Sequence, residues 1–187
     1  MPKDQRAVFL DRDGTIIVLV DYLDDPRELV LLPGAAEAIR SFNEQGLKVV
    51  MVTNQSALAR GYFTEVVLDA VHEQLSRLLE KEHARIDAIY YCPHHPDDKC
   101  SCRKPEPGLI FKATAELGID ANRSFMIGDK IADVKAGQSA GCKGILVLTG
   151  YGSGELALRD KWDARPDHIA DNLLGASEWI LKQTSKK

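Results

Sequence analysis

Ala7-Val8-Phe9-Leu10-Asp11-Arg12-Asp13-Gly14-Thr15 is the stretch on which the reading of this chain turns. Four apolar residues predict a short buried strand over Ala7–Leu10. The strand runs out into two carboxylates two residues apart, and side chains at that spacing point the same way. Like charges so placed repel, so the pair calls for a cation, a shared proton or a catalytic task. Gly14 permits a sharp turn, and Thr15 adds a hydroxyl. The set suits a carboxylate nucleophile beside a second carboxyl that works as acid and base, with a divalent ion between them. Taken alone, the same residues would equally make an acidic turn.

Outward from this strand, β-rich runs alternate with helical patterns. Strands are predicted at Leu47–Thr53, Ile86–Tyr91, Ser124–Ile127 and Gly144–Leu148, with a short edge strand at His168–Ala170. The Pro33-Gly34 turn opens a helix with Ala35, Ile39 and Phe42 inward and Gly46 as its stop. Thr64 caps a longer helix whose apolar stripe is Val67, Val71, Leu75 and Leu78. Pro107 opens another, with Leu109, Ala113 and Leu117 inward. Further helices are expected over Ile131–Ala140 and Leu173–Gln183, and Gly150–Arg165 reads as a surface loop with a helical turn. Such alternation predicts an α/β domain over residues 1–187, a Rossmann-like parallel sheet with helices on both faces.

Bulk properties narrow the function. The chain has 187 residues, 44% of them hydrophobic, and a net charge of −4 from 24 basic and 28 acidic side chains. That balance, without a basic block, argues against nucleic-acid binding. No apolar run reaches the length of a membrane span, and Met1–Arg6 is too short and polar for a signal peptide. A cytoplasmic monomer acting on a small molecule is the expectation.

In such sheets ligands sit beyond the carboxyl ends of the strands. Polar clusters follow four of the apolar runs. Thr53-Asn54-Gln55-Ser56 offers hydroxyl and amide groups for phosphoryl oxygens, although in isolation it also reads as a helix cap. Gly128-Asp129-Lys130 brings a hard oxygen ligand for Mg²⁺ and a cation for an anionic substrate. Asp133, in the first turn of a helix, reads as support for its neighbours. Arg103 and Lys104 supply positive charge, Lys104 offsetting phosphate and nucleophile and Arg103 gripping a substrate phosphate.

The fourth cluster is Cys92-Pro93-His94-His95-Pro96-Asp97-Asp98-Lys99-Cys100-Ser101-Cys102. Three of the four cysteines fall inside it, which is wrong for a secreted disulfide framework and right for a metal loop. Cys92, His94, Cys100 and Cys102 can close a tetrahedral Zn²⁺ site, with His95 an alternative to His94. With every position filled by protein, the zinc would be structural, fixing the loop that delivers Arg103 and Lys104. Cys142 reads as a buried apolar residue, and His72, His83, His168, Trp162 and Trp179 as packing or surface groups.

Asp11-Arg12-Asp13-Gly14-Thr15, Thr53-Asn54, Lys104 and Gly128-Asp129-Lys130…Asp133 occur in the order of the four motifs of the haloacid dehalogenase phosphatases, and the chain resembles that family from about residue 7 to 150. The resemblance implies a Mg²⁺-dependent phosphatase of a small phosphorylated sugar. Asp11 would be the nucleophile and Asp13 the acid and base. Asp11, Asp129 and the backbone carbonyl of Asp13 would hold Mg²⁺. Arg12, Thr53, Asn54, Gln55, Ser56, Arg103, Lys104 and Lys130 would bind phosphate or substrate. A branch of the family acting on histidinol phosphate shares the zinc-loop spacing and is the nearest rival. Some members carry a cap domain. Here the core and the zinc loop use the sequence before Lys104, so an open, capless cleft is expected. Specificity would then come from Ile16–Leu31, Gln55–Phe63 and the zinc loop. The sugar-bisphosphate branch usually has an Asn-x-Asp-x-Gly-Tyr type of stretch after the first motif. This chain reads Ile17-Val18-Leu19-Val20-Asp21-Tyr22 instead.

Overall fold

The computed structural model describes residues 5–184. Six parallel strands form one sheet in the order β3-β2-β1-β4-β5-β6. They are β1 (Ala7–Leu10), β2 (Lys48–Asn54), β3 (Ala88–Cys92), β4 (Phe125–Gly128), β5 (Lys143–Val147) and β6 (His168–Ala170). β1 is buried throughout, as a continuous apolar run between two helical layers must be. The chain builds β1, β2 and β3 toward one edge, then returns to the centre and builds β4, β5 and β6 toward the other. The order therefore reverses between β1 and β4, where a crevice opens at the carboxyl ends.

Side-chain alternation divides the core between the two faces. Val8 and Leu10 of β1, with Met51, Ile127 and Val147, pack against α1 (Ala35–Glu44), α2 (Glu65–Lys81) and α6 (Leu173–Thr184). Phe9, Val50, Val52 and Met126 pack against α3 (Gly108–Glu116) and α4 (Ile131–Ser139). The Gly150–Arg165 region holds α5 (Gly152–Ala157) and one 3₁₀ turn.

Local predictions shift in small ways. β2, β3, β4 and β5 sit one or two residues from their predicted starts, because pairing with the neighbouring strand fixes where a ladder begins. The buried stripe of α2 is Leu68, Val71, His72, Leu75 and Leu79, rather than Val67, Val71, Leu75 and Leu78. The observed set follows the helical period, and Val67 and Leu78 flank it half-buried. Thr64 takes the cap position of α2 with its side chain making no cap hydrogen bond.

Candidate active site

The register of the central strands assembles the site. Leu10 of β1 stands level with Met51 of β2 and Ile127 of β4. Just beyond that level the strand ends deliver Asp11, Thr53 and Asp129. The Asp11 N–H donates to the Ile127 carbonyl at 3.0 Å, so the pairing of β1 with β4 reaches into the site itself. A cleft of 230 Å³ lies over these ends, lined by Asp11, Asp13, Thr53, Ser56, Arg103 and Lys130 among others.

Lys104 is the hub of the charge arrangement. Its Nζ lies 2.8 Å from Asp11 Oδ1 and 2.7 Å from Asp133 Oδ1, and donates to the Val52 carbonyl at 2.9 Å. Three acceptors match the three N–H bonds of an ammonium group. Burial alone would lower the Lys104 pKa, but the Asp11 and Asp133 charges outweigh it and raise it, so the amine stays charged. Asp133 contacts two neighbours at once, Lys104 and Lys130. Its second oxygen accepts the Lys130 N–H at 3.0 Å, capping α4 while its first holds Lys104.

Asp129 is fully buried, and its Oδ2 accepts the Tyr151 N–H at 2.8 Å. Its Oδ1 is buried with no hydrogen-bond partner, a costly state for a carboxylate oxygen. Burial first, and then the charge of Asp11, push its pKa up to about 7. Oxygens of Asp11, Asp129 and Asp133 lie within 4.8 Å of one another. A carboxylate with an orphaned oxygen, grouped this closely with other carboxylates, fits a divalent cation such as Mg²⁺. Asp133 is already engaged by Lys104 and the Lys130 N–H, which leaves Asp11 and Asp129 as the side chains with oxygen to offer. Backbone closeness matters here too. A Cβ on Gly14, whose φ is +78°, would fall 2.2 Å from Asp129 Oδ2, and one on Gly150 would fall 2.1 Å from it. Side chains at either position would fill the space this carboxylate needs.

Arg12, Asn54 and Gln55, expected on the phosphate, line the cleft and have side chains engaged by protein partners. The Asn54 side chain brackets the Lys104 backbone, donating to its carbonyl at 3.1 Å and accepting its N–H at 3.1 Å. It therefore fixes the Lys104 loop to the end of β2. Arg12 is 1% exposed, and its guanidinium donates to both oxygens of Asp13 and to Gln55 Oε1 at 3.1–3.2 Å. The Gln55 amide N–H bonds reach Asp13 Oδ2 at 3.1 Å and Thr53 Oγ1 at 2.9 Å. Arg12 and Gln55 thus form a clamp around Asp13 rather than an open anion site. Their side chains fold inward because a buried guanidinium must spend its donors on nearby oxygens.

One residue beyond the sequence expectations, Tyr151, joins the site. Tyr151 supplies the N–H that holds Asp129, lines the cleft, and has the Lys130 Nζ 4.2 Å from its ring centroid. It follows β5, so the strand-end rule that located the other clusters extends to it. The loops expected to set specificity meet at the mouth, where Tyr22 and Tyr62 pack edge to face at 4.7 Å. Leu19 to Leu23 line the cleft on that side.

In the second cluster, Sγ of Cys92, Cys100 and Cys102 and Nδ1 of His94 lie 3.1–3.5 Å apart along the contacts between them. Ligand atoms about 2.0–2.3 Å from a tetrahedral Zn²⁺ are separated by roughly 3.3–3.8 Å, so the four fit zinc. His95 turns away, its Nδ1 accepting the Asp97 N–H at 3.3 Å. The His94 carbonyl in turn lies 3.5 Å from an Arg103 amine.

Comparisons with known proteins agree with this geometry. A family model described as HAD-hyrolase-like matches residues 101–176. The D-glycero-beta-D-manno-heptose-1,7-bisphosphate 7-phosphatase of Haemophilus influenzae is 41% identical over 97% of this chain and 99% of its own length. Its counterpart in Escherichia coli K12 is 41% identical over 80% of this chain and 83% of its own. The crystal structure of D,D-heptose 1,7-bisphosphate phosphatase from B. bronchiseptica, complexed with magnesium and phosphate, superposes with a TM-score of 0.88 at 35% identity, covering 96% of this chain and 99% of that one. This likeness in sequence and structure over nearly the whole length places the chain in the family of the heptose-1,7-bisphosphate 7-phosphatases, within the haloacid dehalogenase-like hydrolases.

Proposed function

We propose that the protein is a phosphatase that removes the 7-phosphate of D-glycero-D-manno-heptose 1,7-bisphosphate through an aspartyl-phosphate. One observation carries the reading. Carboxylate oxygens of Asp11 and Asp129 lie within a shared ion's reach, one Asp129 oxygen is buried without a partner, and Lys104 is charged against Asp11.

Asp11 attacks phosphorus through a carboxylate oxygen, and the bond from phosphorus to the sugar oxygen breaks. Asp13, clamped by Arg12 and Gln55, gives its proton to the departing C7 oxygen. It then takes a proton from the water that cleaves the Asp11 phosphoryl group, returning inorganic phosphate and free Asp11. Lys104 pairs with Asp11 at 2.8 Å and offsets the phosphoryl charge. Thr53 and Ser56 line the cleft beside it, and Arg103 and Lys130 supply cations for the rest of an anionic substrate. Mg²⁺ would be held by Asp11, Asp129 and the Asp13 carbonyl, and supplies positive charge against the phosphoryl oxygens. Zn²⁺ on Cys92, His94, Cys100 and Cys102 would fix the loop that ends in Arg103 and Lys104.

The test is phosphate release in Mg²⁺ buffer from heptose 1,7-bisphosphate, with histidinol phosphate alongside. Turnover favouring the heptose is the expected result. Release from histidinol phosphate alone would overturn the substrate assignment.

A further inference from the structure

Arg12 is the largest fully buried side chain among the described residues. A guanidinium has only donors and stays charged, so each of its edges needs an acceptor. Nε and Nη2 serve Asp13 and Gln55. The remaining amine, Nη1, lies 3.4 Å from Nε2 of His72. His72 comes from α2, sixty positions along the chain, and is 7% exposed within that helix's apolar stripe. An imidazole is a poor choice for a stripe of leucines and valine unless one of its nitrogens has work there.

Building on the phosphatase reading above, we propose that His72 is a positioning residue for the acid–base step: its Nε2 accepts the Arg12 Nη1–H and so fixes the guanidinium that holds the Asp13 carboxylate in place. Because Arg12 can only donate, Nε2 must be the bare nitrogen and Nδ1 must carry the proton. Burial, and then the Arg12 charge, lower the His72 pKa to about 4, which keeps the ring neutral near pH 7. The contact ties α2 to a group whose alignment decides proton transfer, and such transfer requires heavy atoms at hydrogen-bond distance.

The leaving group separates this role from simple packing. As the Asp11–phosphorus bond forms and the ester bond breaks, a sugar alkoxide must receive the Asp13 proton. A 4-nitrophenolate departs without one. In kcat/KM, which reports phosphoryl transfer to Asp11, misplacing Asp13 therefore harms alkyl esters far more than aryl esters. For His72→Leu we expect kcat/KM on heptose 1,7-bisphosphate to fall roughly 10- to 100-fold, with 4-nitrophenyl phosphate changed by less than about 3-fold. His72→Gln, whose amide oxygen can accept from Arg12, should recover most of the loss. Equal losses on both esters, no loss on either, or a Gln variant no better than Leu would overturn the proposal. The wild-type protein gives a second reading that needs no variant. Nitrogen-15 spectra near pH 7 should show His72 protonated on Nδ1, and a proton on Nε2 would overturn it. A wild type that spares heptose bisphosphate yet hydrolyses another alkyl phosphate would sink the substrate assignment, and the same alkyl-to-aryl comparison would still judge His72.

Discussion

Single residues at this site are defined by what they are denied. Asp129 has one oxygen without a partner and a neighbouring carboxylate, and its pKa rises to about 7 through burial and the Asp11 charge. A carboxyl raised in this way keeps its proton up to that pH in the metal-free fold but not in the unfolded chain. Between about pH 4 and 7 the folded state therefore binds the extra proton, and the metal-free fold loses stability as pH rises through that window. The proton also competes with the cation. Mg²⁺ binding, followed by calorimetry on the metal-free protein, should be about tenfold weaker at pH 6 than at pH 8, as a competing group with a pKa near 7 requires. Equal affinity at the two values would contradict competition between a proton on Asp129 and the cation. The acidic pair at Asp11 and Asp13 and the strand-end Asp129 were legible in the sequence as acidic groups at neighbouring strand ends, where the structure brings Asp11 and Asp129 together. The inward turn of Arg12 and the bracket that Asn54 puts on Lys104 were not. Both depend on which way a polar side chain points after a strand ends, and that is set by neighbours distant in sequence.

At the level of elements, the pairing of β1 with β4 and the loop over Cys92–Cys102 do separate tasks. The strands bring the carboxylates together, while the cysteine loop positions the cations. Lys104 is two residues past Cys102, and Asn54 at the end of β2 grips its backbone. Zinc at the four-ligand cluster would close the loop by which Arg103 and Lys104 arrive. Cys100→Ser should lower the unfolding midpoint by about 10 °C and cut turnover with it, since a structural metal contributes several kcal/mol to a domain of this size. Unchanged midpoint and unchanged activity in that variant would show that the cluster holds no metal of consequence. The cysteine spacing was plain in the sequence, but the choice between His94 and His95 was not. It is made by the 3₁₀ turn at Pro96–Asp98, which His95 caps through its ring and thereby leaves the cluster. For α2 the apolar spacing locates the helix, while the buried stripe takes in Leu68, His72 and Leu79 in place of Val67 and Leu78. The signal that would have found His72 was its spacing, one residue after Val71 and three before Leu75, on the buried face.

For the molecule as a whole, the strand order does the main work. The reversal between β1 and β4 opens a crevice at the carboxyl ends, and five segments far apart in sequence empty into it. Alternation of strands and helices made that architecture readable, because each predicted strand is short, apolar and followed by a helical period. What it could not carry was the network of partners within the cleft, including Tyr151, whose backbone steadies Asp129 while its ring faces Lys130. The account stands or falls on Asp11 forming a bond to phosphorus. The direct measurement is peptide mass spectrometry on protein mixed with heptose 1,7-bisphosphate and Mg²⁺ and quenched in acid within the first turnovers. It should find one added phosphoryl group on the peptide containing Asp11, and none in Asp11→Asn, whose turnover falls at least about 10⁴-fold. Rapid turnover by the wild type with that peptide unmodified, or with the phosphoryl group on another residue, would contradict it.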